Sequence, residues 1–191
     1  MAGGNISAQR HFEDTIQRKR SLSEVRRFLP AQEIENLENI YHGSDFIVWG
    51  AVPGPMNESR WEKMTPGDVV LIYNNGRICF AGEIAAKVRN PELARYFWRE
   101  DESGSTWELM YFIVNEEKTD VQIEKLNPLF GYDVGYRPQG FSRVNDDAVR
   151  MRGIFDWRDN VIRRGNVAAQ NLVVAQDRAR IRGYSLWQRG Y

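Results

Sequence analysis

The sequence predicts an α+β fold in which a half-buried antiparallel sheet is surrounded by short helices. The apolar run "DVVLIY" (68–73) is joined by the turn sequence "NNG" (74–76) to "RICFAGEIAAKV" (77–88), in which every second residue is apolar. The segment "PELARYFW" (91–98) follows, with a proline suited to the first turn of a helix. Hairpin and helix signals thus alternate along the middle of the chain.

Further strands and helices are predicted on both sides of this hairpin. "DFIVWGAV" (45–52) has the β-branched content of a strand and is stopped by "PGP", and "ESRWEKM" (58–64) forms one or two amphipathic helical turns. "TWELMYFIV" (106–114) is another strand, and a short helix ends near Gly131. A loop then leads to a short strand around residue 143.

The two ends of the chain differ from its middle. Residues 1–44 contain two or three short helices with few apolar positions, which predicts an N-terminal helical extension outside the core. Residues 45–147 hold the predicted sheet domain, and residues 148–191 form a basic tail or linker. Within the tail, a helix over 157–182 with a narrow apolar stripe needs a partner surface, which could be its own domain, a second copy or a following domain.

Composition excludes some classes of protein. With 191 residues and 42% hydrophobic residues, the chain can bury one core, and no apolar run approaches the ~20 residues needed to cross a bilayer. No apolar stretch near the N-terminus resembles a signal peptide, and the single cysteine, Cys79, cannot form an internal disulfide. We therefore expect a cytoplasmic protein without a membrane partner, a metal site or a cofactor.

The net charge of zero hides an asymmetry. Residues 45–147 carry 11 Lys and Arg against 17 Asp and Glu, a balance of −6, whereas residues 148–191 carry 9 against 3, a balance of +6. A basic tail is compatible with a solvated helical arm or with a segment that follows a phosphate backbone.

Catalytic motifs are missing from the sequence. It has no phosphate-binding GxxxxGK[ST] loop, no G-x-S-x-G and no H-E-x-x-H, and both histidines, His11 and His42, fall in the N-terminal helices. Acidic clusters such as "REDES" are better explained as solvated loops than as metal sites. The sequence therefore predicts a binding protein rather than an enzyme.

Aromatic residues concentrate around the predicted sheet. For each ring alone, core packing is the simplest explanation. Trp98 is the exception, because it ends an amphipathic helix immediately before the polar loop "REDESGS". A ring at the rim of a pocket can stack on a nucleobase, which contributes ~1–3 kcal/mol per base and requires no charge.

Six segments carry a resemblance to a known family: "VWGAVPG", "WEKMTPGDVVLIY", "GRI", "ELARYFW", "TWELMYFIV" and "YRPQGFSRV". Over residues 45–147 the chain resembles the EVE-type branch of the PUA-like domains, which is related to the YTH readers of N6-methyladenine. It is similar in particular to the specificity domains of McrBC-type or EVE-HNH modification-dependent restriction systems. The resemblance implies a curved, barrel-like sheet that accepts a flipped, modified base such as methylated cytosine or adenine. It also implies a nuclease or NTPase motor as partner.

The resemblance places the base-binding residues. Trp98 matches the cage aromatic of YTH readers. The second wall depends on which strand residues 45–52 match: Gly50, Ala51 and Val52 would line the pocket by their backbone in the EVE pattern, whereas Trp49 would itself be the wall in the YTH pattern. Trp61 would take part only if residues 53–60 fold back.

Further residues are expected beside the pocket and along the nucleic-acid backbone. The resemblance places Tyr73 and Asn74 next to the base. Arg137 and Gln139, in a loop suited to phosphate or to the orphaned partner base, are assigned together with Arg143 to contacts with the DNA backbone.

The sequence is also compatible with two other functions. An RNA-binding PUA-like module would read single-stranded or modified RNA by stacking and by contacts to 2′-hydroxyl groups. A structural interaction domain would use its tryptophans as core and would form oligomers through the C-terminal helix.

Overall fold

A computed structural model of the chain describes residues 6–144 and 184–188, with side chains from residue 9 to residue 144. The helices in these ranges are α1 (Ile6–Phe12), α2 (Leu22–Val25), α3 (Ala31–Tyr41), α4 (Pro55–Lys63), α5 (Pro91–Trp98) and α6 (Ile123–Leu126). The strands are β1 (Ile47–Ala51), β2 (Val69–Asn74), β3 (Arg77–Arg89), β4 (Leu109–Gln122), β5 (Phe141–Arg143) and β6 (Tyr184–Gln188). The predicted α+β class is confirmed.

The predicted hairpin between β2 and β3 is present. Asn75 and Gly76 both have positive φ angles, 47° and 79°, as a two-residue turn between antiparallel strands requires. The register runs from Val69 opposite Glu83 to Asn74 opposite Arg77, with a bulge between Ile72 and Tyr73. The residue types of the turn therefore determine how β2 pairs with β3.

The strands are hydrogen-bonded in the order β1-β4-β3-β2-β6-β5. All pairs with a defined register are antiparallel except β2 and β6, which run parallel. The contacts divide the chain into two compact units, and the long strands β3 and β4 each contribute residues to both.

Unit 1 comprises residues 1–66 and 84–115. Strand β1 pairs with β4, Ile47 lying opposite Ile113 and Ala51 opposite Leu109, and every residue of β1 is buried. Helix α5 begins after Asn90, whose side-chain oxygen accepts a hydrogen bond from the Leu93 N–H and so caps the helix. One face of α5 is buried against this sheet.

The N-terminal helices belong to the core of unit 1, so the expectation that they lie outside a core is wrong. Val25 and Leu37 are fully buried in one cluster with Phe46, Leu93 and Phe112. Few apolar residues suffice here because each of them is inserted among large side chains of the sheet and α5. The ranges 1–44, 45–147 and 148–191 remain a prediction as separate domains.

Unit 2 comprises residues 67–83 and 116–191. Its core brings together apolar residues of the β2–β3 hairpin and of the segment that follows β4, including Leu71, Tyr73, Ile78, Ile123 and Phe130. The Ile123 N–H donates to the Gly76 carbonyl, which joins the start of α6 to the hairpin turn. A 3-10 turn, Asn127–Phe130, follows α6.

Strand β6 was not predicted, because the C-terminal range was interpreted as helical. Tyr184 pairs with Val69 of β2 in parallel register, and Phe141 of β5 pairs with Trp187. The predicted helix over 157–182, with its basic charge and its proposed role in oligomers, lies outside the described residues. Within the described ranges no helix is both long enough and apolar enough to cross a bilayer.

Candidate functional site

Three tryptophans of unit 1 meet in one aromatic cluster. Trp49 lies in the middle of β1, Trp98 ends α5, and Trp107 lies in the loop before β4. His11 and Phe12, at the end of α1, complete the cluster from the N-terminal side. Trp49 and Trp98 are buried, with 1% and 5% of their surface exposed, whereas Trp107 is partly exposed.

The indoles contact one another at steep angles. The ring centroids of Trp49 and Trp107 are 5.0 Å apart with an interplanar angle of 86°, and those of Trp49 and Trp98 are 6.2 Å apart at 74°. Edge-to-face geometry is attractive between aromatic rings. A sandwiched base would require nearly parallel rings with a gap between them. The structure thus brings Trp49 and Trp98 into contact in a closed arrangement rather than as an open slot.

Gly50 makes this packing possible. A Cβ atom at Gly50 would lie 2.5 Å from the Trp107 carbonyl oxygen and 2.9 Å from Cζ3 of Trp98. The Trp98 ring therefore rests on bare strand backbone. Gly50 thus contributes to the cluster through its missing side chain, and Ala51 is buried next to it at the end of β1.

His11 fixes the backbone at Trp98. Its Nε2 lies 3.1 Å from the Trp98 carbonyl oxygen, and its ring meets Trp107 edge to face at 4.7 Å. Burial lowers the pKa of His11 from 6.5 to about 4, against the opposing effects of the Trp98 carbonyl and the Asp14 charge, while Arg10 lowers it further. The imidazole is neutral near pH 7.

Thr15 fixes the Trp98 side chain. The Trp98 Nε1–H donates to the Thr15 hydroxyl oxygen at 3.2 Å, and that hydroxyl donates to the His11 carbonyl at 3.1 Å. Thr15 lies in the π-helical turn Glu13–Gln17, a rare geometry that is frequent at functional sites. The indole N–H and the carbonyl oxygen of Trp98 are thus both bound by the N-terminal segment.

The loop between α5 and β4, which leads to Trp107, is closed by internal hydrogen bonds. It starts at Arg99, whose φ of 63° and ψ of −165° are costly for a residue with a side chain. The Thr106 hydroxyl donates to the Arg99 carbonyl at 2.8 Å, which closes the loop immediately before Trp107. Hydrogen bonds from the hydroxyl and N–H of Ser103 and from the N–H of Ser105 lower the pKa of Asp101 in the same loop.

The other predicted residues lie outside this cluster. Trp61 donates its Nε1–H to the Met110 carbonyl at 3.0 Å, and the Lys87 ammonium lies 4.6 Å from its ring centre. In unit 2, Tyr73 is buried in the core and Asn74 is half-buried at the end of β2. The three residues assigned to the nucleic-acid backbone are exposed, namely Arg137, Gln139 and Arg143. Arg137 forms an ion pair with Glu124.

Sequence reasoning missed His11 and Thr15 and did not place Trp107 in the site. The relevant contacts join residues 83 and 87 positions apart. The only local signal was that His11 is one of two histidines. Among the described residues, no group of three or more His, Cys, Asp or Glu side chains could hold a metal ion.

Comparison with solved structures identifies a protein of similar fold. The N-terminal domain of Thermococcus gammatolerans McrB, solved bound to m5C DNA, matches with a TM-score of 0.52 and 22% sequence identity. The match covers 71% of this chain and 83% of that domain. No protein-family model and no curated protein sequence matches the chain. The chain thus shares its fold with a domain that has been seen on modified DNA.

Proposed function

We propose that the chain is a DNA-binding module that recognises a modified base by flipping it into the site formed by Trp49, Trp98 and Trp107. The observation that carries the proposal is the meeting of three indoles in unit 1 of a fold that it shares with the McrB N-terminal domain. The role of specificity module in a modification-dependent restriction system, together with a nuclease or NTPase partner, belongs to the same proposal.

In such a site, the cost of extruding a base and the gain from binding it are of similar size. Extruding a base from a duplex costs a few kcal/mol. Stacking returns ~1–3 kcal/mol per base, and burying one added methyl group contributes about 1 kcal/mol. The methyl group therefore decides whether the flipped state is populated, which makes the site selective for the modified base.

A ring must move before a base can enter the closed cluster. Trp107 is the candidate, because it is partly exposed and lies on a loop, whereas Trp49 is buried in β1 and Trp98 is held by Thr15 and His11. Rotation of Trp107 away from Trp49 would expose the face of an anchored indole. The base would then take the place that Trp107 leaves.

Cations elsewhere are proposed to bind the phosphate backbone. Arg137 and Arg143 are exposed in unit 2, with Gln139 between them in sequence, and the basic range 148–191 adds positive charge. Such contacts raise the affinity for any duplex and make binding sensitive to salt, without selecting a base.

Fluorescence anisotropy tests the proposal directly. The chain is titrated onto matched duplexes with 5-methylcytosine, 5-hydroxymethylcytosine, N6-methyladenine or no modification, and onto RNA of equal length, at two salt concentrations. We expect a preference of about tenfold or more, equivalent to about 1.4 kcal/mol, for one modified duplex. Equal affinity for all duplexes would contradict the proposal, and tighter binding to RNA would favour an RNA-binding module instead.

A pair of variants links the preference to the cluster. Trp98→Ala removes an anchored indole on which the inserted base would stack, and in a folded variant it should reduce the preference for the modified duplex towards unity. Tyr96→Ala, which removes an exposed ring of α5 outside the cluster, serves as the matched control and should keep the preference. An equal effect of both variants would show that the aromatic cluster does not recognise the modified base.

A further inference from the structure

One polar atom in the aromatic cluster has no partner. The Nδ1 of His11 is buried and makes no hydrogen bond in the part of the chain that the structure describes. The residue is only 7% exposed, and its ring contacts those of Trp98 and Trp107, with centroids 5.9 Å and 4.7 Å away. A buried polar atom without a partner is unfavourable and calls for an explanation. A ligand that enters the cluster would supply the missing hydrogen bond.

The hydrogen bond at the other ring nitrogen determines whether Nδ1 of His11 donates or accepts a hydrogen bond. The Trp98 carbonyl oxygen can only accept, so Nε2 of His11 carries the hydrogen and donates to it. Because burial lowers the pKa of His11 to about 4, the ring carries a single hydrogen near pH 7. The Nδ1 atom is therefore a hydrogen-bond acceptor.

An acceptor in this place discriminates between bases that stacking cannot separate. Cytosine and adenine carry an exocyclic amino group, which donates, whereas thymine carries a keto oxygen, which accepts. Thymine and 5-methylcytosine share the ring shape and the 5-methyl group. Indole stacking and burial of the methyl group would therefore favour both alike, and a polar contact has to tell them apart.

We propose that His11 determines the specificity of the site by accepting a hydrogen bond, through Nδ1, from the amino group of the inserted base. This inference rests on the function proposed above and deepens it. His11 selects an amino-bearing base, cytosine or adenine in modified form, and rejects its oxo counterpart. The N-terminal segment thereby supplies the polar contact of an otherwise apolar site.

Modified duplexes test this with the unaltered protein. One duplex carries 5-methylcytosine opposite guanine, a second thymine opposite guanine at the same position, and a third 5-methylpyrimidin-2-one, which lacks the amino group. If the protein selects N6-methyladenine instead, hypoxanthine takes the place of the oxo base. We expect the amino-bearing base to bind about tenfold more tightly than either counterpart.

Three variants locate the effect at His11. His11→Leu removes both ring nitrogens and should lower the selectivity for amino over oxo bases to about unity. His11→Gln keeps an N–H donor for the Trp98 carbonyl and an oxygen acceptor, and should restore part of it. The control His42→Asn changes the exposed histidine after α3, at a left-handed φ of 51° that asparagine tolerates, and should keep full selectivity.

The outcomes separate this inference from the function on which it rests. If the wild-type protein prefers the modified duplex over the plain one but binds the oxo base equally well, the inference about His11 is overturned and the proposed function stands. The same holds if a folded His11→Leu variant keeps full selectivity. If the wild-type protein shows no preference for any modified base, both are overturned.

Discussion

The indole N–H of Trp98 donates to the hydroxyl of Thr15, 83 positions earlier in the chain, at 3.2 Å. Both side chains are buried, and the Thr15 hydroxyl in turn donates a hydrogen bond to the His11 carbonyl. This short chain of hydrogen bonds connects α5 to the N-terminal segment. It makes the position of Trp98 depend on residues far away in sequence.

Replacing Thr15 by valine should destabilise the protein by about 1–3 kcal/mol, because the buried Trp98 N–H is left without an acceptor. Valine has nearly the same shape, so packing changes little. Urea denaturation followed by tryptophan fluorescence measures the change. The control Thr119→Val removes a hydroxyl that donates to the Ile78 carbonyl at a half-buried position and should cost less. Equal losses for both variants would show that the hydrogen bond to Trp98 contributes no more to stability than an ordinary half-buried one.

Gly50→Ala should destabilise unit 1 by about 1–3 kcal/mol, because a methyl group would overlap the Trp107 carbonyl and the Trp98 ring. Thermal unfolding of the variant measures the loss. Gly135→Ala is the control, since a Cβ atom there meets nothing within 4 Å. A Gly50→Ala protein as stable as the wild type would mean that the cluster relaxes easily.

Stability should fall as the pH is lowered from 6.5 towards 4. In this window the unfolded chain binds a proton at His11 whereas the native chain, with a His11 pKa of about 4, does not, so protonation favours unfolding. The difference between the usual pKa of 6.5 and a pKa of about 4 sets an upper limit of about 3 kcal/mol, and we expect a loss of about 1–3 kcal/mol. Urea midpoints at several pH values measure the slope.

The matched variant for this titration is His11→Gln. Without an ionisable group at position 11, its stability should depend less steeply on pH between 6.5 and 4. Parallel slopes for the variant and the wild-type protein would assign the pH dependence to other groups.

Arg99→Gly should raise the free energy of unfolding by about 1 kcal/mol, because glycine adopts a φ of 63° with a ψ of −165° without steric strain. Chemical denaturation measures the gain. Arg95→Gly, within α5, places glycine where the backbone is helical and should instead lower stability. A loss of stability in the Arg99 variant would mean that its side chain makes a contribution larger than the strain.

Arg137→Ala and Arg143→Ala should each weaken DNA binding to the same extent on modified and plain duplexes, since phosphate contacts carry no base information. Each should also reduce the salt dependence, with the slope of log K against log salt falling by about 1. Anisotropy titrations over a range of salt concentrations measure both effects. Arg26→Ala, at an exposed ion pair with Glu38 in unit 1, is the control. A loss confined to the modified duplex would place these residues at the base instead.

The parts of the fold that depend on local chemistry were predictable from sequence. The Asn75–Gly76 turn follows from the two residue types that tolerate positive φ, and α5 follows from a proline in its first turn and an amphipathic pattern. The period-two pattern of β3 likewise appears as alternating burial from Gly82 to Val88, whereas Ala81 is buried as well as its neighbours. In each case neighbours within a few residues decide the outcome.

The parts that depend on distant contacts were not predictable. Strand β6 pairs in parallel with β2, which lies more than 100 residues earlier in the chain. No turn or short sequence motif predicts such a pairing. His11 enters the site through a carbonyl 87 positions away. Trp98 was singled out because it ends an amphipathic helix before a polar loop, and Trp49 through the family resemblance. Their edge-to-face packing at 74° depends on the missing side chain of Gly50 and on the anchoring by Thr15, which no local pattern encodes.

The perpendicular contact of Trp49 with Trp107 also has an optical consequence. Two indoles with centroids 5.0 Å apart and planes at 86° form an asymmetric pair whose excited states interact. Such a pair gives a near-ultraviolet circular dichroism signal of its own, and a base that takes the place of Trp107 beside Trp49 would separate the two chromophores and quench the emission of the indole on which it stacks. Occupancy of the site can therefore be followed in the unlabelled protein.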